Sequence, residues 1–174
     1  TFNHNSFLNK KVTIHNQDAF LWAKTNRKKY DVIIIDFPDP SNYSLGKLYS
    51  LNFYKSLANL AHPNTVVVIQ TTSPYFAPKS FWCINKTVKQ VFSKTDAYHV
   101  YVPSFGEWGY TIATLNPENT FDKVNRKVNH LKFYNHNYKS LNQFPKDMIA
   151  NNVEINRLDN QILVRYFDEE WGKL

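Results

Sequence analysis

The chain has 174 residues, with 21 lysines and arginines against 14 acids for a net charge of +7, and 43% of it is hydrophobic; that suffices for one domain with a sizeable core and excludes a disordered polymer. One cysteine, Cys83, excludes a disulfide framework, no apolar run approaches the roughly 18 residues of a membrane-spanning helix, and no charged-then-apolar leader opens the sequence. Four glycines, about a third of the usual frequency of ~7%, leave no phosphate-cradling loop in these residues.

In chain order, Val12–His15 is expected as a short strand, followed by a helix over Ala19–Thr25 with Asp18 as its N-cap. The first thirty residues hold six basic residues and one acid, most of the net charge. Cations at a helix end complement its dipole, and no aromatic-basic interleaving accompanies them, so a solvated helix end is the reading rather than nucleic-acid binding. Val32-Ile33-Ile34-Ile35 is a continuous β-branched run of the kind that forms a strand buried on both faces. Pro38 and Pro40 stop it there. A helix over Ser50–Leu60 places Phe53, Leu57 and Leu60 on one side, and Val66–Ile69 is a second buried strand. Pro78 begins a helix over Lys79–Phe92, whose Phe81, Ile84, Val88 and Val91 form an apolar stripe. Tyr98–Val102 and Trp108–Thr114 flank a turn at Pro103–Gly106 and are expected as an antiparallel pair. Residues 115–146 have weak periodicity and are expected as a surface connection with one or two short helices. A last strand is expected at Ile162–Tyr166, before the acidic run Asp168-Glu169-Glu170.

Strands alternating with helices give an α/β sheet of parallel strands ending in a hairpin. Ligands of such sheets bind beyond the carboxyl ends of the parallel strands. Three polar groups fall there: Asp18 after the first strand, Asp36 at the end of the second, Gln70 at the end of the third. Asp39 joins Asp36 in a loop whose backbone is restricted by Pro38 and Pro40. Asp18 has the plainer role of helix cap, and Gln70 that of satisfying nearby backbone. Two carboxylates bracketing a proline-braced turn repel one another unless a cation binds, which suits a polycationic ligand or a metal. The six histidines are scattered and supply no metal-ligand spacing.

The segment Tyr30-Asp31-Val32-Ile33-Ile34-Ile35-Asp36-Phe37-Pro38-Asp39-Pro40 resembles the D-x-x-D-P signature of the polyamine aminopropyltransferases, the spermidine and spermine synthases. Other segments agree in the right order. Lys11-Val12-Thr13-Ile14-His15-Asn16-Gln17-Asp18-Ala19-Phe20 resembles the family's strand ending in Asp-Ala or Asp-Gly. Leu48-Tyr49-Ser50-Leu51-Asn52-Phe53-Tyr54 resembles its helix start, and Ser73-Pro74 and Pro103-Ser104-Phe105-Gly106-Glu107-Trp108-Gly109-Tyr110 also match. The likeness covers roughly residues 6–115. Asn156-Arg157-Leu158-Asp159-Asn160 and the run from Ser73 to Cys83 resemble a bacterial branch whose members often carry membrane helices upstream.

The resemblance implies a Rossmann-like adenosylmethionine-dependent-transferase sheet and transfer of an aminopropyl group from decarboxylated S-adenosylmethionine to a di- or polyamine such as putrescine, releasing methylthioadenosine. It implies no metal. Asp36 would take the proton of the acceptor amine, and Asp39 would hold a substrate ammonium together with Gln70. Asp18 would accept a hydrogen bond from the adenine amino group, with Ala19 beside it in the adenosyl site. Trp108 would wall the acceptor channel, or serve as a core residue of the hairpin. Phe105 stands where many relatives have tyrosine, and Phe37-Pro38 replaces the small residues common between the two acids.

The family's first strand, its glycine-rich loop and its ribose-binding acid have no counterpart in these residues. Residues 1–115 are therefore expected as the C-terminal part of the catalytic domain, residues 116–174 as an extension packed on it, and the chain as a piece of a longer protein, inactive alone. That protein is expected in the cytoplasm, with any membrane anchor upstream and no nucleic-acid partner; homodimerisation stays open. The competing readings are another adenosylmethionine-dependent transferase, for which the paired carboxylates have no use, and a non-catalytic binding or regulatory module on the same fold.

Overall fold

The computed structural model describes residues 5–121 and 138–172. Helix α1 spans Ala19–Thr25, and its N-cap Asp18 accepts a hydrogen bond from the Leu21 amide at 3.1 Å. Strand β1, Tyr30–Ile35, leads through the proline loop to a short helix α2, Tyr43–Gly46, and to α3, Leu51–Ala58, capped by the Ser50 side chain. Strand β2, Ala61–Gln70, is followed by α4, Pro78–Lys89, with proline in its first turn. Strands β3, Lys94–Val102, and β4, Gly106–Thr114, form a hairpin; the short helix α5 is Tyr138–Leu141 and the final helix α6 is Ile162–Trp171.

The four strands lie in the order β1-β2-β4-β3. β1 and β2 are parallel, with Ile35 opposite Ile69, and β4 is antiparallel to both β2 and β3, placing Gln70 opposite Tyr110. The core is built on β2 and its helices. Val67 and Ile69 pack with Phe53, Tyr54 and Leu57 of α3, Ile84 and Val88 of α4, and Ile162 and Leu163 of α6, all at most 2% exposed. Each such aliphatic or aromatic side chain contributes about 1.5–3 kcal/mol through burial.

Three expectations are corrected. Val12–His15 forms no strand; Val12 is 43% and Ile14 66% exposed, and no neighbouring strand among the described residues offers them a ladder. β1 is not buried on both faces: Ile35 points into the core while Val32 and Ile34 are 59% and 72% exposed. Its described pairing is to β2 alone, so a β-branched run that resembles a central strand lies at the edge of the described sheet. Ile162–Tyr166 is helix, not strand. Helical spacing turns Ile162 and Leu163 to the core and carries the acidic run to the start of α4, where it finds partners. In the 115–146 stretch, residues 122–137 lie outside the described residues, and α5 is the short helix seen in the remainder.

Candidate active site

The loop after β1 holds the carboxylate pair. Asp36 is exposed and Asp39 half-buried. Gln70, 6% exposed at the carboxyl end of β2, links the two strands: its Nε2 donates to Asp39 Oδ1 at 3.3 Å, and its Oε1 accepts from the Tyr49 hydroxyl at 3.3 Å. The same hydroxyl lies 3.2 Å from the Phe37 carbonyl and 3.1 Å from that of Pro38. One buried phenol thus pins the backbone between the two acids and the side chain beside them. Burial, and then the charges of Asp39 and Asp36, push the Tyr49 hydroxyl well above the ordinary phenol range, so it stays a proton donor to these oxygens.

Burial also raises the Asp39 carboxyl from its ordinary value. The Gln70 hydrogen bond acts against that rise, as does the Thr72 hydroxyl, although the latter closes no hydrogen bond of good geometry. A carboxylate in this position is short of compensating charge. Tyr110, opposite Gln70 on β4, has its hydroxyl raised above the ordinary phenol range by burial and then by the charge of Asp36.

The backbone beyond β2 is held in a conformation that β-branched residues avoid. Thr72 has φ of 61°, and its carbonyl accepts from the Gly109 amide at 2.8 Å while the Thr71 amide donates to Gly109 O at 3.0 Å. A non-glycine residue there costs of order 1–3 kcal/mol and persists because its surroundings enforce it. Gly109 is required by this approach: a Cβ would sit 2.8 Å from the Thr72 carbonyl. The Thr71 and Thr72 hydroxyls are buried with no hydrogen-bond partner among the described residues.

Phe105 and Trp108 stand at the outer end of the hairpin, their rings 5.2 Å apart, with Phe105 59% exposed. Gly106, at φ 74°, provides the left-handed turn that begins β4. Trp108 also meets Trp171 of α6 at 6.5 Å.

Of the residues expected from the sequence, Asp36, Asp39 and Gln70 gather at the ends of β1 and β2, while Trp108 on β4 and Phe105 in the preceding turn lie at the outer end of the hairpin. Asp18 and Ala19 belong to the start of α1. Asp18 pairs with Lys47 Nζ at 2.7 Å and caps α1; the Lys47 hydrogen bond, followed by that from Leu21, lowers its carboxyl below the ordinary value. Ala19 borders a groove of about 300 Å³ beneath β1, lined also by Trp22, Val32, Ile34 and Phe37. That groove does not include the carboxylates. Tyr49 and Tyr110 were missing from the sequence-derived site although both stand within motifs quoted above. Trp171 follows the acidic run and carries no signal in the sequence; its place beside Trp108 marks it. No three His, Cys, Asp or Glu residues among those described are grouped to hold a metal ion.

Comparison with known proteins agrees with the arrangement. Residues 2–126 match the spermine/spermidine synthase domain. A polyamine aminopropyltransferase of Leptospira interrogans is 49% identical over 173 residues, 99% of this chain and 34% of that protein. Polyamine aminopropyltransferase 2 of Ralstonia nicotianae is 44% identical over 97% of this chain and 33% of its own length. Among solved structures, spermidine synthase from Thermotoga maritima superposes with a TM-score of 0.66 at 20% identity, over 97% of this chain and 52% of that one, which shows the shared Rossmann-like fold. A spermidine synthase in complex with the transition-state analogue AdoDATO gives 0.60 at 19% identity. The chain spans about a third of the length of these curated relatives. With the D-x-x-D-P loop, the strand order and the matched residues in agreement, the chain belongs to the spermine/spermidine synthase family.

Proposed function

We propose that the protein carrying this chain transfers an aminopropyl group from decarboxylated S-adenosylmethionine to a diamine or polyamine. The observation that carries the reading is the half-buried Asp39, tied to Gln70 across two strand ends and lacking a cationic partner among the described residues, beside an exposed Asp36. An amine cation supplies the missing charge. Asp39 and Gln70 hold the acceptor through its ammonium, while Asp36 takes the proton that the attacking nitrogen must lose. The nitrogen lone pair then forms a bond to the carbon beside the sulfonium, the carbon–sulfur bond breaks, and its electron pair leaves with sulfur as a neutral thioether. Sulfonium is already a good leaving group, so alignment of amine and carbon accounts for most of the rate gain.

Trp108 and Phe105 flank the alkyl chain of the acceptor, and the start of α1, with Asp18 and Ala19, faces the adenosyl substrate. Residues 1–115 form part of the catalytic domain in this reading, and residues 116–174 an extension packed upon it. The packing of α6 against α4 supports this reading. Among the described residues no helix is long and apolar enough to cross a membrane.

The test is Asp36→Asn in the natural protein. Loss of a general base lowers turnover by roughly 10²–10⁴-fold, while affinity for the adenosyl substrate, measured by calorimetry with methylthioadenosine, stays within a few-fold. Unchanged turnover refutes the assignment.

A further inference from the structure

We infer that Trp171, the last residue of α6, is a positioning residue that sets the distal wall of the acceptor groove by backing Trp108. The inference rests on the aminopropyl-transfer reading above and adds a determinant of acceptor length to it. From Tyr110, opposite the Gln70 that holds Asp39, β4 runs outward to Trp108, two residues and about 7 Å further on. The two nitrogens of an extended four-carbon diamine are roughly 6 Å apart. An acceptor whose near amine lies at the carboxylates therefore brings its far end to Trp108.

The position of that indole is not left to the hairpin. Trp108 lies between Phe105, at 5.2 Å, and Trp171, at 6.5 Å. Trp171 contacts Phe76 at 5.7 Å and Phe167 at 5.8 Å, and Phe76 meets Tyr75 at 5.0 Å. Unlike the aromatic rings of the core, this row opens to solvent: Tyr75 is 52%, Phe76 38% and Phe105 59% exposed. It is a surface that the alkyl chain and ammonium of an amine can reach, and aromatic faces attract both.

The end of α6 is also anchored. The N-cap of helix α4 is Ala77, whose side chain cannot cap it. Glu170 does so from α6: one carboxylate oxygen accepts from the Lys79 amide at 2.7 Å, the other from the Ser80 amide at 3.0 Å and the Ser80 hydroxyl at 2.7 Å. Glu169 adds a 3.2 Å contact to Lys79 Nζ. Trp171 follows Glu170 directly, so the bonds that cap α4 also hold its backbone in place. Its buried indole N–H has no partner among the described residues. Ring contacts, not a hydrogen bond, therefore determine where it sits.

The experiment uses the natural protein with Trp171→Ala and Trp171→Phe, and measures KM and kcat for a four-carbon diamine, for a longer triamine and for the adenosyl substrate. Loss of the backing ring raises the diamine KM roughly 10-fold, as expected for one displaced cation–π and apolar contact, and narrows the preference between the two acceptors. In the alanine variant kcat and the adenosyl KM stay within about twofold, and phenylalanine restores the diamine KM to within about threefold of the unmodified protein. An unchanged acceptor KM and preference in folded Trp171→Ala overturns the inference, as do equal rises in both substrates' KM values. Should the alanine variant fail to fold, Trp171→Leu replaces it under the same criteria. Absence of transfer by the unmodified natural protein overturns the functional reading itself, and with it this inference; that result is read before any variant is made.

Discussion

The two acids of the D-x-x-D-P loop are unlike as residues. Asp36 is open to solvent, whereas Asp39 is held against Gln70 with burial raising its carboxyl above the ordinary 3.8. A raised carboxyl means that the folded chain binds the Asp39 proton more readily than the unfolded chain does. Ionised Asp39 therefore detracts from stability; the detraction is absent below pH 3.8 and grows as pH rises through the raised value. In the proposed reaction a bound ammonium would offset it. Affinity for the acceptor amine is accordingly expected to fall as pH drops through that raised value, because protonated Asp39 no longer attracts a cation. Asp39→Asn in the natural protein is expected to remove this pH dependence and raise acceptor KM by roughly 10–100-fold, with neutral-pH melting temperature unchanged or higher. A pH profile of acceptor KM with the same inflection in both proteins would contradict the role. At Asp18 the sequence and structure agree on the helix cap; its Lys47 partner, 29 positions away, could not be read from local pattern.

At the scale of elements, α4 shows how a local rule can be met from a distance. Pro78 marks its start in the sequence, but the preceding Ala77 offers no capping oxygen. The cap arrives from Glu170, some ninety positions along the chain. Glu170→Ala leaves two first-turn amides and a buried serine hydroxyl without their acceptor, and is expected to cost about 1–2 kcal/mol, seen as a lower urea midpoint at unchanged slope. Glu170→Gln, which keeps an acceptor but loses the charge favoured at a helix N-terminus, is expected to lose less. Equal stability of the alanine variant and the parent chain would remove the cap. The strand expected at Ile162–Tyr166 failed for a related reason. Ile-Leu-Val is compatible with strand or helix, and what decided the matter was the helical spacing that seats Ile162 and Leu163 in the core and brings Glu170 to α4. By contrast, the helix after Asp18, the helix after Ser50 and the hairpin around Gly106 were legible because cap, apolar period and turn residue all agreed.

For the molecule as a whole, one fully buried amide, Asn156, helps to join the end of the described chain to the rest. Asn156 Nδ2 donates to the Gly46 carbonyl at 2.9 Å, Oδ1 accepts from the Leu163 amide at 3.3 Å, its own amide donates to Thr87 Oγ1 at 2.9 Å, and its carbonyl accepts from Leu51 at 2.9 Å. Residues at or near α2, α3, α4 and α6 thus meet at a single side chain and its backbone. Asn156→Ala strands a buried carbonyl and a buried amide, and is expected to destabilise by about 2–3 kcal/mol; Asn156→Asp restores one acceptor only. Thermal unfolding of both variants checks this, and a loss below half a kcal/mol for alanine would show the amide to be dispensable. A second link is His99, whose ring nitrogens lie 2.7 Å from Glu107 Oε2 and 2.9 Å from the Gln143 carbonyl, tying the hairpin to the segment after α5.

The sequence by itself determined the α/β alternation, the hairpin and the family resemblance, and it singled out Asp36 and Asp39 as candidates, because periodicity, proline and glycine placement and a short motif are all local signals. Only the tertiary structure decided that β1 exposes Val32 and Ile34, that the final segment is helical, that Tyr49 pins the carboxylate loop and that Glu170 caps α4 beside Trp171. These depend on which groups meet across separations of eleven to ninety residues. Burial, hydrogen-bond completion and ring contacts are properties of such pairs, and no single stretch of the chain contains both members.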